Sequence, residues 1–142
     1  MAQTGFTSFN TTVDKTNHLL HEIEESFGWP KDRRNQSYAA LRGLLHALRD
    51  RLTVEEAAQL GAQLPMLVRG IYYEGWDPSK VPVKMDRDEF LQRVRREFPY
   101  SIDSDIEAVV RAVLLALRHH VTEGEWDDIR ASLPKNLAVA TP

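Results

Sequence analysis

The chain repeats itself. Shifted by 69 positions, residues 39–65 fall on 108–134 with 11 identities in 27. Ordinary composition gives about two. The identities are Ala39/Ala108, Arg42/Arg111, Leu45/Leu114, Ala47/Ala116, Leu48/Leu117, Arg49/Arg118, Thr53/Thr122, Glu56/Glu125, Ala62/Ala131, Leu64/Leu133 and Pro65/Pro134. Matched leucines would follow from any two amphipathic helices, but matched Thr, Glu and Pro at helix boundaries would not. Upstream, a shift of 71 aligns Leu20, Ile23 and Phe27 with Leu91, Val94 and Phe98. A duplicated unit constrains the fold because each copy must form the same supersecondary structure and bury its apolar face against the other.

Each copy reads as a series of helices. Val13, Leu20, Ile23 and Phe27 recur at helical spacing and place the first helix over 14–27, stopped by Gly28 and Trp29-Pro30. The second runs over 36–51 with a stripe of Tyr38, Leu41, Leu45 and Leu48. Thr53-Val54-Glu55-Glu56 is a capping box opening a third helix, and Pro65 opens a fourth. In the second copy, Asp86-Arg87-Asp88-Glu89 resembles the same box with Asp as cap. Asp103 or Ser104 is expected to cap a long helix with Ile106, Val109, Val110, Val113 and Leu117 inward. Thr122-Glu123-Gly124-Glu125 starts the next helix, with Trp126, Ile129 and Leu133 on one face. The fold class expected is all-α, a helical bundle of two duplicated units related by an approximate two-fold axis. Residues 1–13 read as an N-terminal tail, 14–76 and 85–142 as the two repeats, and the last residues as frayed. Residues 77–84 hold two prolines beside Val81 and Val83, which fits an extended linker lying on the bundle.

Composition then excludes several functions. There is no cysteine, so disulfides, thiolate metal sites and cysteine nucleophiles are ruled out. The opening MAQTGFTSFN has neither a basic start nor an apolar stretch, so no secretory signal is expected. No run of about 20 apolar residues suggests a membrane span, and a cytoplasmic protein is the expectation. Residues 1–80 carry 9 basic and 10 acidic side chains and residues 81–142 carry 9 and 11. Neither half has the basic excess that phosphate neutralisation favours, so no nucleic-acid partner is expected. The arginines Arg87, Arg93, Arg95 and Arg96 fall among acids.

The residues also carry a resemblance. Arg49-Asp50-Arg51-Leu52, Glu55-Glu56-Ala57, Gln63-Leu64-Pro65 and the run from Met66 to Trp76 resemble the bacterial domain-of-unknown-function family numbered 2267. In the second copy, Phe90-Leu91-x-Arg93-Val94, Thr122-Glu123-Gly124-Glu125 and Leu133-Pro134-Lys135 agree. The similarity spans residues 13–137. It departs where Asn136-Leu137-Ala138-Val139 stands in place of a charged helical turn. The resemblance implies an all-helical bacterial protein and brings no catalytic residues with it.

His18, His21, Glu22 and Glu25 share one side of the first helix at spacings of three, four and seven, and imidazole with carboxylate can hold a metal. A metal site in a bundle also needs ligands from other helices, such as a second Glu-x-x-His. The chain has no such motif, and the aligned positions in the second copy are Glu89, Gln92, Arg93 and Arg96. A solvated helix face is therefore preferred and no cofactor is expected. His119-His120 fits a helix C-terminus, where the dipole favours cations. His46 lies among leucines, where a histidine is usually packed or partly exposed. The candidate interaction surface is Tyr72, Tyr73 and Trp76, with Tyr72 and Trp76 expected in the seam between the copies and Tyr73 more exposed. The leading reading is a non-catalytic interaction or regulatory module, with an unidentified protein or a second copy as partner. The alternative is a small enzyme or ligand-binding protein with a pocket at the inter-repeat seam, using His46 or Tyr72 as its polar group.

Overall fold

The structure is a computed structural model that describes residues 4–102 and 105–137. Among these there are seven α-helices and no strand: α1 (Thr7–Phe27), α2 (Arg34–Arg51), α3 (Val54–Gln63), α4 (Met66–Tyr73), α5 (Arg87–Glu97), α6 (Ile106–Arg118) and α7 (Glu123–Ser132). Single 3-10 turns cover Lys31–Arg33 and Pro78–Lys80.

The hub is α2. From Ala39 to Arg49 every side chain except Arg42 is buried, the signature of a helix enclosed on all sides. It packs against α1, α4, α5 and α6. Its approach to α5 is close because position 43 is glycine: a Cβ there would stand 3.0 Å from the carbonyl oxygen of Val94. The core joins both halves of the sequence, with Leu41, Leu45 and Leu48 beside Phe90, Val94, Phe98, Val113, Leu117 and Trp126 in one cluster.

Boundary chemistry follows the sequence closely. Thr53 accepts from Glu56 N–H while the Glu56 carboxylate accepts from Thr53 N–H, and Asp86 with Glu89 does the same at α5. Thr122 accepts from Glu125 N–H. The reciprocal half is missing there, because Thr122 N–H donates instead to the Gln63 side chain at 2.8 Å. Gly28 ends α1 in the left-handed region at φ 67°, and its N–H returns to the Glu24 and Glu25 carbonyls. Displaced by 69, the bounds of α3 coincide with those of α7.

Three expectations are corrected. The segment expected as a tail is helical from Thr7, its Phe6 N-cap making no side-chain cap bond. Asp105 caps α6, accepting from Ala108 N–H at 3.0 Å; the expected caps, Asp103 and Ser104, lie outside the described residues. After Asp77 the linker takes a 3-10 turn before it extends, and it touches the bundle through Val83 N–H to Asp50 O at 2.7 Å, with the Val83 side chain exposed. The residues expected to fray, 138–142, lie outside the described set.

Candidate functional site

Buried polar groups come first, because each must be paired or costs free energy. His46 is 3% exposed. Its Nδ1 lies 3.0 and 3.1 Å from the two carboxylate oxygens of Glu97, and its Nε2 lies 2.8 Å from the Ile71 carbonyl. Both partners offer oxygen lone pairs, so each ring nitrogen is occupied by a contact inside the protein. Arg49, equally buried, donates to the carbonyls of Tyr72 and Glu74 at 2.9 and 2.7 Å. Two side chains of α2, His46 and Arg49, thus cover the carbonyl end of α4, where the helix dipole is negative. Glu97 also accepts from Arg93 at 2.7 Å and pairs with Arg42. Burial raises its pKa, but the Arg93 hydrogen bond and the interaction with His46 outweigh it, and the net shift is downward. This network fastens α2, α4 and α5 together. It leaves neither nitrogen of His46 for a ligand, which removes His46 from the pocket chemistry expected of it.

The aromatic trio divides. Tyr72 is fully buried, and its hydroxyl donates to Ala57 O at 2.8 Å. Burial pushes that hydroxyl's pKa up. Tyr72 therefore neither meets a partner nor serves as a pocket's polar group. Tyr73 is half-buried, with its ring end in the notch left by Gly61, where a Cβ would collide with the hydroxyl. Trp76 is half-buried against Tyr73 at 5.3 Å between centroids, so it is less enclosed than expected. These side chains close α4 onto α3 and do not form an outward aromatic surface.

The exposed apolar surface lies on the other side of α4. Phe9, Thr12 and Val13 of α1, Tyr38 of α2, and Met66, Leu67, Gly70 and Ile71 of α4 line a shallow hollow of about 540 Å³. Met66, Phe9, Leu67 and Tyr38 are all exposed. Phe6, 66% exposed, packs on Phe9 at 5.2 Å and stands beside the hollow. The floor is fixed where Leu67 N–H donates to Thr12 Oγ1 at 2.8 Å, which satisfies an N-terminal donor of α4 with a side chain of α1. Glu74 is the charged residue of the lining, and it pairs with Arg42 at 2.7 Å. Sequence reasoning missed this face because Phe6 and Phe9 fell in the expected tail. The one available signal was a pair of phenylalanines in a segment without a core period.

The four helix-face residues split into two groups. His21 pairs with Glu25 at 2.8 Å, both exposed. His18 and Glu22 turn instead toward the end of α6. Glu22 Oε1 lies 3.0 Å from His18 Nε2 and 3.3 Å from His120 Nε2, while Oε2 lies 2.7 Å from His119 Nδ1.

With the geometry in hand, the chain can be placed among known proteins. The family described as "Uncharacterized conserved protein (DUF2267)" matches over residues 16–139, and the chain belongs to it. The comparison with curated proteins returned no match. No described helix is long and apolar enough to cross a membrane.

Proposed function

We propose that the chain is a non-catalytic interaction module, and that the apolar face of α1 and α4 is where a second copy docks. The observation that carries this reading is a largely apolar lining from three helices with Glu74 as its one charged member, and exposed phenylalanines beside the hollow. A two-fold contact brings a patch against itself, so each charge near the axis meets its own copy. On a chain that is 27% charged, such a contact needs a charge-free face. This face has one carboxylate, Glu74, already neutralised by Arg42. A knob beside a hollow is also self-complementary: Phe6 and Phe9 of one copy can fill the hollow of the other. The regulatory role expected from sequence is then exerted through assembly. Within each chain, the repeats over 14–76 and 85–142 form one scaffold around an approximate two-fold axis, a reading supported by the shared bounds and caps of α3 and α7.

Sedimentation equilibrium tests the docking. The wild type should show a concentration-dependent monomer–dimer equilibrium. Leu67→Glu should abolish it, because a like charge is placed at the axis, whereas Leu115→Glu on α6 should not, since Leu115 is exposed away from this face. Circular dichroism confirms that each variant folds. A chain that stays monomeric to about millimolar concentration, whether or not the face takes a different protein, overturns the second-copy reading.

A further inference from the structure

We infer that His18, Glu22 and His120 form a binding site for a borderline divalent metal ion of the zinc class, with His119 positioning the carboxylate. One ligand atom from each of the three residues lies within 4.8 Å of the other two. At metal–ligand bonds of about 2.0–2.1 Å, neighbouring ligand atoms on a tetrahedron are about 3.3 Å apart. The separations from Glu22 Oε1 to His18 Nε2 and His120 Nε2 are 3.0 and 3.3 Å, so small side-chain adjustments bring all three onto one ion. The set comes from two elements packed on each other, α1 and the end of α6. That is the inter-helix supply of ligands that a local His-x-x-x-Glu pair lacks.

The surroundings fit the chemistry. Glu22 and His120 are partly buried at 19% and 13% side-chain exposure, and His18 stands open at 67%. The free oxygen of Glu22 is held by His119 Nδ1 at 2.7 Å, an outer partner that fixes the orientation of the ligating carboxylate. The exposure of His18 leaves the cluster open to solvent on one side. Two imidazoles and one carboxylate suit zinc, nickel or copper and are a poor set for magnesium, which demands oxygen ligands. A bound ion would fasten the start of the chain to the end of α6.

Sequence spacing grouped His18, His21, Glu22 and Glu25 on one helix face and preferred a solvated face to a metal site. In the structure His21 and Glu25 form a separate exposed pair, and His120, read in the sequence with His119 as a helix terminus, stands beside Glu22 instead.

Isothermal titration of the untagged protein with Zn²⁺, free of chelator, decides the matter. One ion per chain should bind, with a rise in Tm that EDTA reverses, and Mg²⁺ should give neither. His120→Ala and His18→Ala should each weaken Zn²⁺ binding by about tenfold or more. His21→Ala, which removes the competing local pair, should leave it unchanged. Circular dichroism of the metal-free variants confirms that they fold. Zn²⁺ binding that is absent in the wild type, equal in His120→Ala, or lost in His21→Ala overturns the site.

Discussion

Glu24 and Glu125 are both buried carboxylates, and they titrate in opposite directions. Burial raises Glu24, but hydrogen bonds from Arg34 at 2.9 and 3.1 Å and from Ser37 at 2.7 Å outweigh it, so its pKa falls below 4.5. A folded value below the unfolded one contributes stability that is full above about pH 4.5 and is lost as pH falls through the folded value. Glu125 shifts the other way. Burial and the charges of Asp128 and Glu56 raise it, so the folded chain prefers it protonated and loses stability as pH rises through its folded value. Glu24→Gln should therefore cost about 2 kcal/mol at pH 7, the scale of hydrogen bonds to a charged group, with a much smaller cost at pH 3. Glu125→Gln should be neutral or stabilising at pH 7. Urea midpoints at the two pH values check both, and equal losses at pH 7 would contradict the assignment. None of this was legible in the sequence. The partners of Glu24 are 10 and 13 residues away across a turn, and the carbonyls that Arg49 and His46 meet are 23 to 25 residues away. Periodicity reports which face of a helix is apolar and carries no information on which polar groups meet. It did place His46 correctly among packed leucines, and it had no means to supply Glu97.

Helices were the most legible scale, because their signals are local. The capping residues Thr53, Asp86 and Thr122 act within three positions of themselves, and each stands where the sequence placed it. The start of α1 was missed because it lacks such a signal: Phe6 offers no side-chain acceptor, and no acid stands in the first turn. The cap of α6 was misplaced because Asp103, Ser104 and Asp105 follow one another and each carries an acceptor oxygen, a choice only backbone geometry makes. The two Thr caps now differ in detail. Thr53→Ala breaks a complete box and Thr122→Ala half of one, so each should cost about 1 kcal/mol, with Thr53 the larger. Glu56→Ala should add a loss at α3, whereas Glu125→Ala removes no reciprocal bond at α7. Thermal denaturation of the four variants separates these outcomes, and an unmoved Tm for both Thr variants would contradict the caps.

At the scale of the whole molecule, the all-helical class was readable from the sequence, since helical spacing and helix caps run through most of it. The outward surface was not. Which side of α4 faces solvent depends on how α1 crosses it, and the aromatic run offered as a candidate interaction surface closes on α3 through Tyr72 and the Gly61 notch. The exposed side is carried by Met66, Leu67 and Ile71 together with Phe9 and Tyr38, residues from separate parts of the chain. The same separation hid the juxtaposition of Glu22 with His119 and His120, 97 and 98 residues apart. Docking of a second copy makes a local demand on this surface. Backbone amide chemical shifts, recorded while the protein is diluted from about millimolar to about micromolar concentration, map it directly. Self-docking requires Phe6–Val13, Tyr38 and Met66–Ile71 to shift together along one binding curve while α5 and α7 stay still. Shifts that are absent, or that centre on Tyr73 and Trp76 instead, would contradict it.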